Sequence, residues 1–188
     1  MFNFKIKKNE SSGFTIIEAM IAAAVISVGL IGILTLCTVS MKFGRISLNR
    51  VIAANLAQEG IEVIRLMRDN LWLNDPDGDA NPWNNPPFDT DIEGIVVWNT
   101  SSGEWTWNEK SESYYSNSDS QVGFYLDAQG RYIQGSSSPQ TNFYRIIKIS
   151  SGTDSDGYFF RQVVSKVKWK EGNKFYEIQT EDRLYNWK

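Results

Sequence analysis

From Ala19 to Met41 the chain runs 23 residues without a charged side chain. As a helix rising about 1.5 Å per residue, this run reaches roughly 35 Å, enough to cross a hydrocarbon core of about 30 Å. Past Met41 the pattern changes rather than stops. Val51, Ile52, Leu56, Val63, Ile64, Met67 and Leu71 recur at spacings near three and four, and Arg45, Arg50, Glu59, Glu62, Arg65 and Arg68 fall largely between them. No proline occurs before Pro76, and Gly44 and Gly60 weaken the second half only locally. The pattern predicts one helix from about Phe14 to about Asn70, with a lipid-compatible first half and a second half that has one stripe to bury.

Beyond Leu71 the periodicity is lost. Pro76, Pro82, Pro86 and Pro87 stand among Asp75, Asp77, Asp79, Asp89 and Asp91, an irregular connection longer than most loops in compact domains. Strand-like runs follow at Gly94–Asn99, Glu104–Trp107, Val122–Asp127, Phe143–Ser150, Tyr158–Lys170 and Lys174–Thr180. In the fifth run Val163, Ser165, Val167 and Trp169 share one face, and Val164, Lys166 and Lys168 share the other. Glu171-Gly172-Asn173 reads as the hairpin turn between the last two strands. Strands in series without intervening helices argue for an antiparallel sheet, so the expected class is α+β: a long N-terminal helix on an antiparallel head.

Length and composition narrow the chemistry. The 188 residues suit about one domain. Histidine is absent, which removes Ser-His-Asp and Cys-His catalysis and His-ligated zinc. The one cysteine, Cys37, permits no internal disulfide and is read as a buried helix residue. A formal charge of −3 argues against general nucleic-acid binding. No cofactor is expected, and no enzymatic activity. The charge is divided: residues 70–130 hold 11 acidic groups and one Lys, and residues 131–188 hold 10 basic and 6 acidic groups. These are either two solvated surfaces or complementary faces of neighbouring copies.

Three ordinary explanations of the N-terminus are open. A cleaved secretory signal has an apolar core of about 7–15 residues, shorter than this run, and Glu18 would stand almost at its start. A lipoprotein box at Leu34-Thr35-Leu36-Cys37 places a large Leu36 before the cysteine. A plain membrane anchor leaves Glu18 without a partner, although an ionisable group inside an apolar helix costs up to about 3 kcal/mol. Flanking charge does not fix orientation: Lys5, Lys7 and Lys8 precede the run, while Lys42, Arg45 and Arg50 follow it.

Ser12-Gly13-Phe14-Thr15-Ile16-Ile17-Glu18, followed by Ala19-Met20-Ile21-Ala22-Ala23, closely resembles the start of type IV prepilins and pseudopilins. The resemblance implies that a prepilin peptidase cuts after Gly13 on the cytoplasmic side of the membrane, that Phe14 becomes an N-methylated terminus, and that Glu18, fifth from Phe14, neutralises the Phe14 amine of an adjacent subunit. Ala54-Asn55-Leu56-Ala57-Gln58-Glu59-Gly60-Ile61-Glu62, with Arg65 to Asn70, also resembles the second half of the helix in minor-pilin-like proteins, and Leu184-Tyr185-Asn186-Trp187 resembles their ending. Two departures, Thr35 where many type IV pilins carry Pro and the missing disulfide-closed loop, favour a minor pilin or pseudopilin.

The implied organisation is a cleaved leader over 1–13, a transmembrane and filament-core half-helix over 14–41, an amphipathic half over 42–71, a Pro/Asp-rich loop over 72–93 and a sheet head over 94–188. The implied partners are the prepilin peptidase, other pilin or pseudopilin subunits in a helical filament, the inner-membrane assembly machinery, and the bilayer before assembly. The implied location is the cytoplasmic membrane, single-pass with the head outside, then an extracellular or periplasmic filament. The rival reading is a membrane-anchored adhesion protein whose head recognises a glycan or surface. Its contact candidates are Trp83, Trp105 and Trp107, while Trp98 and Trp169 are expected in the core. Asp75, Asp77 and Asp79 resemble part of a calcium loop, but Ala80 stands where an EF-hand needs Gly. The acidic stretch is therefore read as an ordinary turn-rich loop, and Asp154, Asp156 and Gly157 as a turn.

Overall fold

The computed structural model describes residues 13–74, 85–135 and 140–185. Helix α1 spans Ile16–Leu73 as one uninterrupted element. The chain divides into two compact units with the boundary between Arg45 and Ile46.

In the first unit every described residue, 13–45, is exposed, Cys37 included. The expectation of a buried Cys37 is thus not met within the single chain, because the described residues of this unit form one helix with no second element of the unit to pack on it.

The second unit carries a seven-stranded antiparallel sheet among the described residues. Its strands are β1 (Ile92–Asn99), β2 (Glu104–Glu109), β3 (Gly123–Leu126), β4 (Tyr132–Gln134), β5 (Gln140–Thr153), β6 (Phe159–Glu171) and β7 (Lys174–Tyr185). Strand β5 is the hub. One of its edges pairs with β1 through Ile92–Gly94 and, nearer its start, with β3 through Gly123 and Tyr125. Its other edge runs in register along β6 from Phe143↔Trp169 to Thr153↔Phe159. The β6–β7 hairpin closes at Glu171↔Lys174, with Gly172 at φ +59 in the first loop position, where glycine avoids the left-handed penalty. Asp154 likewise closes the β5–β6 turn, its Oδ1 accepting from the amides of Asp156 and Tyr158 at 3.0 and 2.8 Å.

Alternation decides which side of the sheet meets α1. Phe143, Arg145, Ile147 and Ile149 of β5 stand opposite Trp169, Val167, Ser165 and Val163 of β6, and all eight are buried. The helix lays Ala53, Leu56, Ala57, Gly60, Ile61, Val63 and Ile64 on this face. Phe88 and Leu184 complete one part of the core, and Phe124 the other. Contact at Gly60 is close: a Cβ there would lie 2.8 Å from Ser165 Oγ and 3.1 Å from Ile147 Cδ1.

Arg145 is the unforeseen member of this seam. Its guanidinium is fully buried and donates to the Leu56 carbonyl at 2.8 Å and to Gln134 Oε1 at 3.1 Å. Burial lowers its pKa to about 10, partly offset by the Glu59 carboxylate 4.0 Å away. Gln134 returns two donations, to the carbonyls of Val122 and Arg145 at 2.8 and 2.9 Å, so the network is largely self-satisfied.

The opposite face is covered by two elements the periodicity did not indicate. These are helix α2 (Glu112–Ser116) and a 3₁₀ turn at Ser120–Val122, which place Tyr115 and Val122 against Ile95 and Ile146. Ser111 caps α2 by accepting from the Ser113 amide. Strand side chains then fasten it: Lys166 Nζ to Glu112 Oε1 at 2.8 Å, Lys168 Nζ to the Ser116 carbonyl at 3.0 Å, and Tyr115 Oη to Glu177 Oε2 at 2.9 Å.

The Lys166 hydrogen bond, opposed by desolvation, holds the Glu112 carboxyl below its ordinary value of 4.5. A lowered carboxyl contributes stability above the ordinary value and loses it as pH falls toward the folded one. The head is therefore expected to lose thermal stability below pH 4.5, with a shallower loss in Glu112→Gln. Melting curves of both proteins between pH 7 and pH 3 check this, and parallel curves would contradict it.

Candidate functional site

Gly13 and Phe14 lie just before α1, and Glu18 lies in its first turn. Thr15 sets this start. Its carbonyl accepts the Ala19 amide at 3.1 Å, and its Oγ1 accepts the Glu18 amide at 3.3 Å. Thr15-Ile16-Ile17-Glu18 therefore carries the Thr-x-x-Glu spacing of a capping box, a local sequence signal for the start of this helix. The Glu18 carboxylate stands near the positive end of the helix dipole, so its position is favourable before any partner arrives. All three motif residues, Gly13, Phe14 and Glu18, are exposed at this one helix start. A Cβ added at Gly13 would meet nothing within 4 Å.

The following turns suit a lipid or protein surrounding. An 18-residue window of α1 reaches a mean hydropathy of 2.5 with none of it buried. This apolar half is compatible with membrane anchoring. Three of its hydroxyls are answered within the helix: Ser27 donates to the Ala23 carbonyl at 2.7 Å, Thr35 to Ile31 at 2.9 Å and Thr38 to Thr35 at 2.8 Å. Such back-bonding lets hydroxyls enter an apolar medium without an external acceptor. The helix continues through Thr35 without a break.

In the second unit the aromatic candidates separate. Trp107 lies across Gly94, where a Cβ would come within 2.6 Å of its ring, and it packs against the core with its Nε1 buried. Trp105 is half-buried beside Trp98. Trp98 is 42% exposed, which corrects its expected place in the core, whereas Trp169 is buried as expected. The reason is the pairing. Strand β1 pairs with β5 only from Ile92 to Gly94, so its far end is hydrogen-bonded to β2 alone, as a two-stranded ribbon. Trp98 and Trp105 face each other on that ribbon with ring centroids 5.4 Å apart at 67°. Both rings border two open grooves, of about 500 and 710 Å³. Trp83, Asp75, Asp77 and Asp79 lie outside the described residues. Among the described residues, no group of three or more acidic or cysteine side chains is placed to hold a metal ion.

Residues 8–34 match a family model described as the prokaryotic N-terminal methylation motif. This stretch contains Gly13, Phe14 and Glu18 and runs into the apolar half of α1. Comparison with curated proteins gives no match, and comparison with solved structures gives none either.

Proposed function

We propose, from the premise that the chain carries the prepilin-type cleavage and methylation signal of type IV pilins, that it is a structural subunit of a pilus or secretion-type filament. The observation that carries this reading is the coincidence of the matched motif with an exposed, capped helix start followed by an apolar, unburied helix. The chain is then the substrate of a prepilin peptidase and the bearer of no reaction of its own. It enters the cytoplasmic membrane through the apolar half of α1 with the sheet unit outside. Cut after Gly13, it joins a filament through that same half.

The chemistry of joining follows from the new terminus. Cleavage leaves a charged amine on Phe14, four residues before Glu18. A carboxylate in lipid costs up to about 3 kcal/mol, and an adjacent subunit's amine removes that cost by pairing. Ala19, Ala22 and Ala23 allow neighbouring helices to approach closely. The single cysteine and Thr35 support a minor pilin or a pseudopilin within this class.

Mass spectrometry of the N-terminal peptide from native membranes tests the reading. A peptide starting at Phe14 and heavier by one methyl group, about 14 Da, is the expected result. An intact Met1 terminus beside an active prepilin peptidase would instead favour the permanently anchored adhesion protein, a reading supported by the exposed Trp98. A second expectation concerns assembly. Glu18→Val should insert normally yet enter sheared filaments roughly tenfold less, since one lost pairing of this kind is worth more than about 1.4 kcal/mol. Immunoblots of sheared and cell-bound fractions read this, and equal incorporation removes the pairing role.

A further inference from the structure

We infer that the ribbon bearing Trp98 and Trp105 is a binding site for an uncharged glycan chain. This goes beyond the filament reading and does not depend on it, since the site lies within the sheet unit and is complete before any processing.

The aromatic part is exposed and already positioned. The ribbon ends in a tight turn in which Asn99 Oδ1 accepts from the Ser101 amide at 2.9 Å, and the Gly103 amide donates to the Asn99 carbonyl at 2.8 Å. The Thr106 hydroxyl donates across the ribbon to the Val97 carbonyl at 3.1 Å. The Trp98 ring rests edge-to-face with Trp105. A flat apolar ring held this way in solvent offers stacking area with little ordering cost on binding. Groove lining continues on both sides of the pair, with Pro86 and Pro87 bordering one groove and Tyr132 the other. An elongated ligand can therefore cross the ridge rather than fill a closed cavity.

The charges beside the rings select the ligand class. Arg131 and Asp127 line the larger groove but are paired with each other at 2.7 Å. The second Asp127 oxygen is also occupied, accepting from the amides of Gln129 and Arg131 at 2.9 and 2.8 Å. Glu59, the other carboxylate there, faces the buried Arg145 guanidinium. The cation of this groove is thus compensated within the protein, leaving little to offer a phosphate or a sulfate. Residues 70–130 are acidic overall, which further disfavours a polyanion. What remains for a ligand is the aromatic faces, the Thr100 hydroxyl and Gln129 amide in the larger groove, and the exposed Asn70, Asn74 and Glu104 side chains in the smaller one. Apolar faces beside hydrogen-bond donors and acceptors match the C–H faces and hydroxyls of a neutral sugar. A proline-rich peptide also favours aromatic grooves, but it offers no hydroxyls to the polar side.

The test uses the full chain in a detergent without a sugar headgroup, such as an amine oxide. Equilibrium dialysis is run against end-labelled cellohexaose, maltohexaose, mannohexaose, xylohexaose and the N-acetylglucosamine hexamer. Saturable binding of at least one of these, weakened roughly tenfold in Trp98→Ala and partly kept in Trp98→Tyr, is the expected result. The melting temperature of Trp98→Ala should stay close to that of the parent, because the ring is exposed at the end of a ribbon. Three results overturn the inference: no saturable binding across the panel, unchanged binding in Trp98→Ala, or tighter binding of dextran sulfate, an oligonucleotide or a proline-rich decapeptide than of any neutral hexasaccharide.

Discussion

Gly60→Leu is expected to destabilise the sheet unit by about 3 kcal/mol, near the upper end of ordinary overpacking. The first added carbon already lies 2.8 Å from Ser165 Oγ, 3.1 Å from Ile147 Cδ1 and 3.3 Å from Arg145 Cδ. None of these neighbours yields easily. Ser165 and Ile147 are fully buried on adjacent strands in register, and Arg145 is tied by hydrogen bonds to Leu56 and Gln134. Relief requires lifting α1 from the sheet along the whole seam between Ala53 and Ile64. Helix propensity works the other way, since replacing a helical glycine gains up to about 1 kcal/mol. Gly60→Ala should therefore be milder, at about 1 kcal/mol net. Urea unfolding of the detergent-solubilised chain, followed by near-ultraviolet circular dichroism, measures both variants. A Gly60→Leu midpoint equal to that of the parent would mean that the seam is looser than its distances state.

At the other end of α1, the proposed processing makes Gly13→Leu the most consequential single change. The residue sits outside the helix and a side chain there meets nothing within 4 Å. The substitution is thus free of steric cost to the chain itself, and any effect must arise in the peptidase that receives it. A cleavage site fitted to glycine rejects a bulky residue by roughly 10- to 200-fold, the usual discrimination available to a steric pocket. The leader, residues 1–13, should then remain, Phe14 should acquire no free amine, and filament incorporation should fall with processing. Mobility on immunoblots and the mass of the N-terminal peptide read this directly. Normal trimming of Gly13→Leu would move the cleavage site elsewhere.

Much of the architecture was legible because it rests on long periodic runs. The extent of α1, the two faces of β6 and the turn at Gly172 all follow from spacing that packing then reinforces. The strand pattern carries β7 only to Thr180, whereas the strand runs to Tyr185 and Leu184 at its end is buried. Short elements were lost. Strand β4 has three residues and α2 five, too few to show a period, and both exist because tertiary contacts hold them. Tyr115, Lys166 and Lys168 supply those contacts for α2. Arg145 was legible in principle, since it alternates in step with Phe143, Ile147 and Ile149, but a charge in a strand is ordinarily solvated. Trp98 erred the opposite way: hydrophobic type marked it for the core, and the early departure of β1 from β5 left it outside. The N-terminal motif was legible for a different reason, because its residues form a contiguous signal that survives without any fold.

The central position of β5 also imposes an order on the birth of the molecule. Strands β1 to β4 occupy residues 92–134, yet they join the rest of the sheet through a strand that begins at Gln140. The helix face from Ala53 to Ile64 likewise finds most of its buried companions at Phe143 and beyond, although Phe88, Val96 and Phe124 precede them. A ribosome or translocation channel delivering the chain from its N-terminus therefore releases an apolar helix stripe and two isolated hairpins well before anything exists to cover them. Folding of this unit is a terminal event, started by the last third of the chain. Messages cut short before residue 153 should yield a membrane-bound fragment fit for proteolysis rather than a smaller stable head.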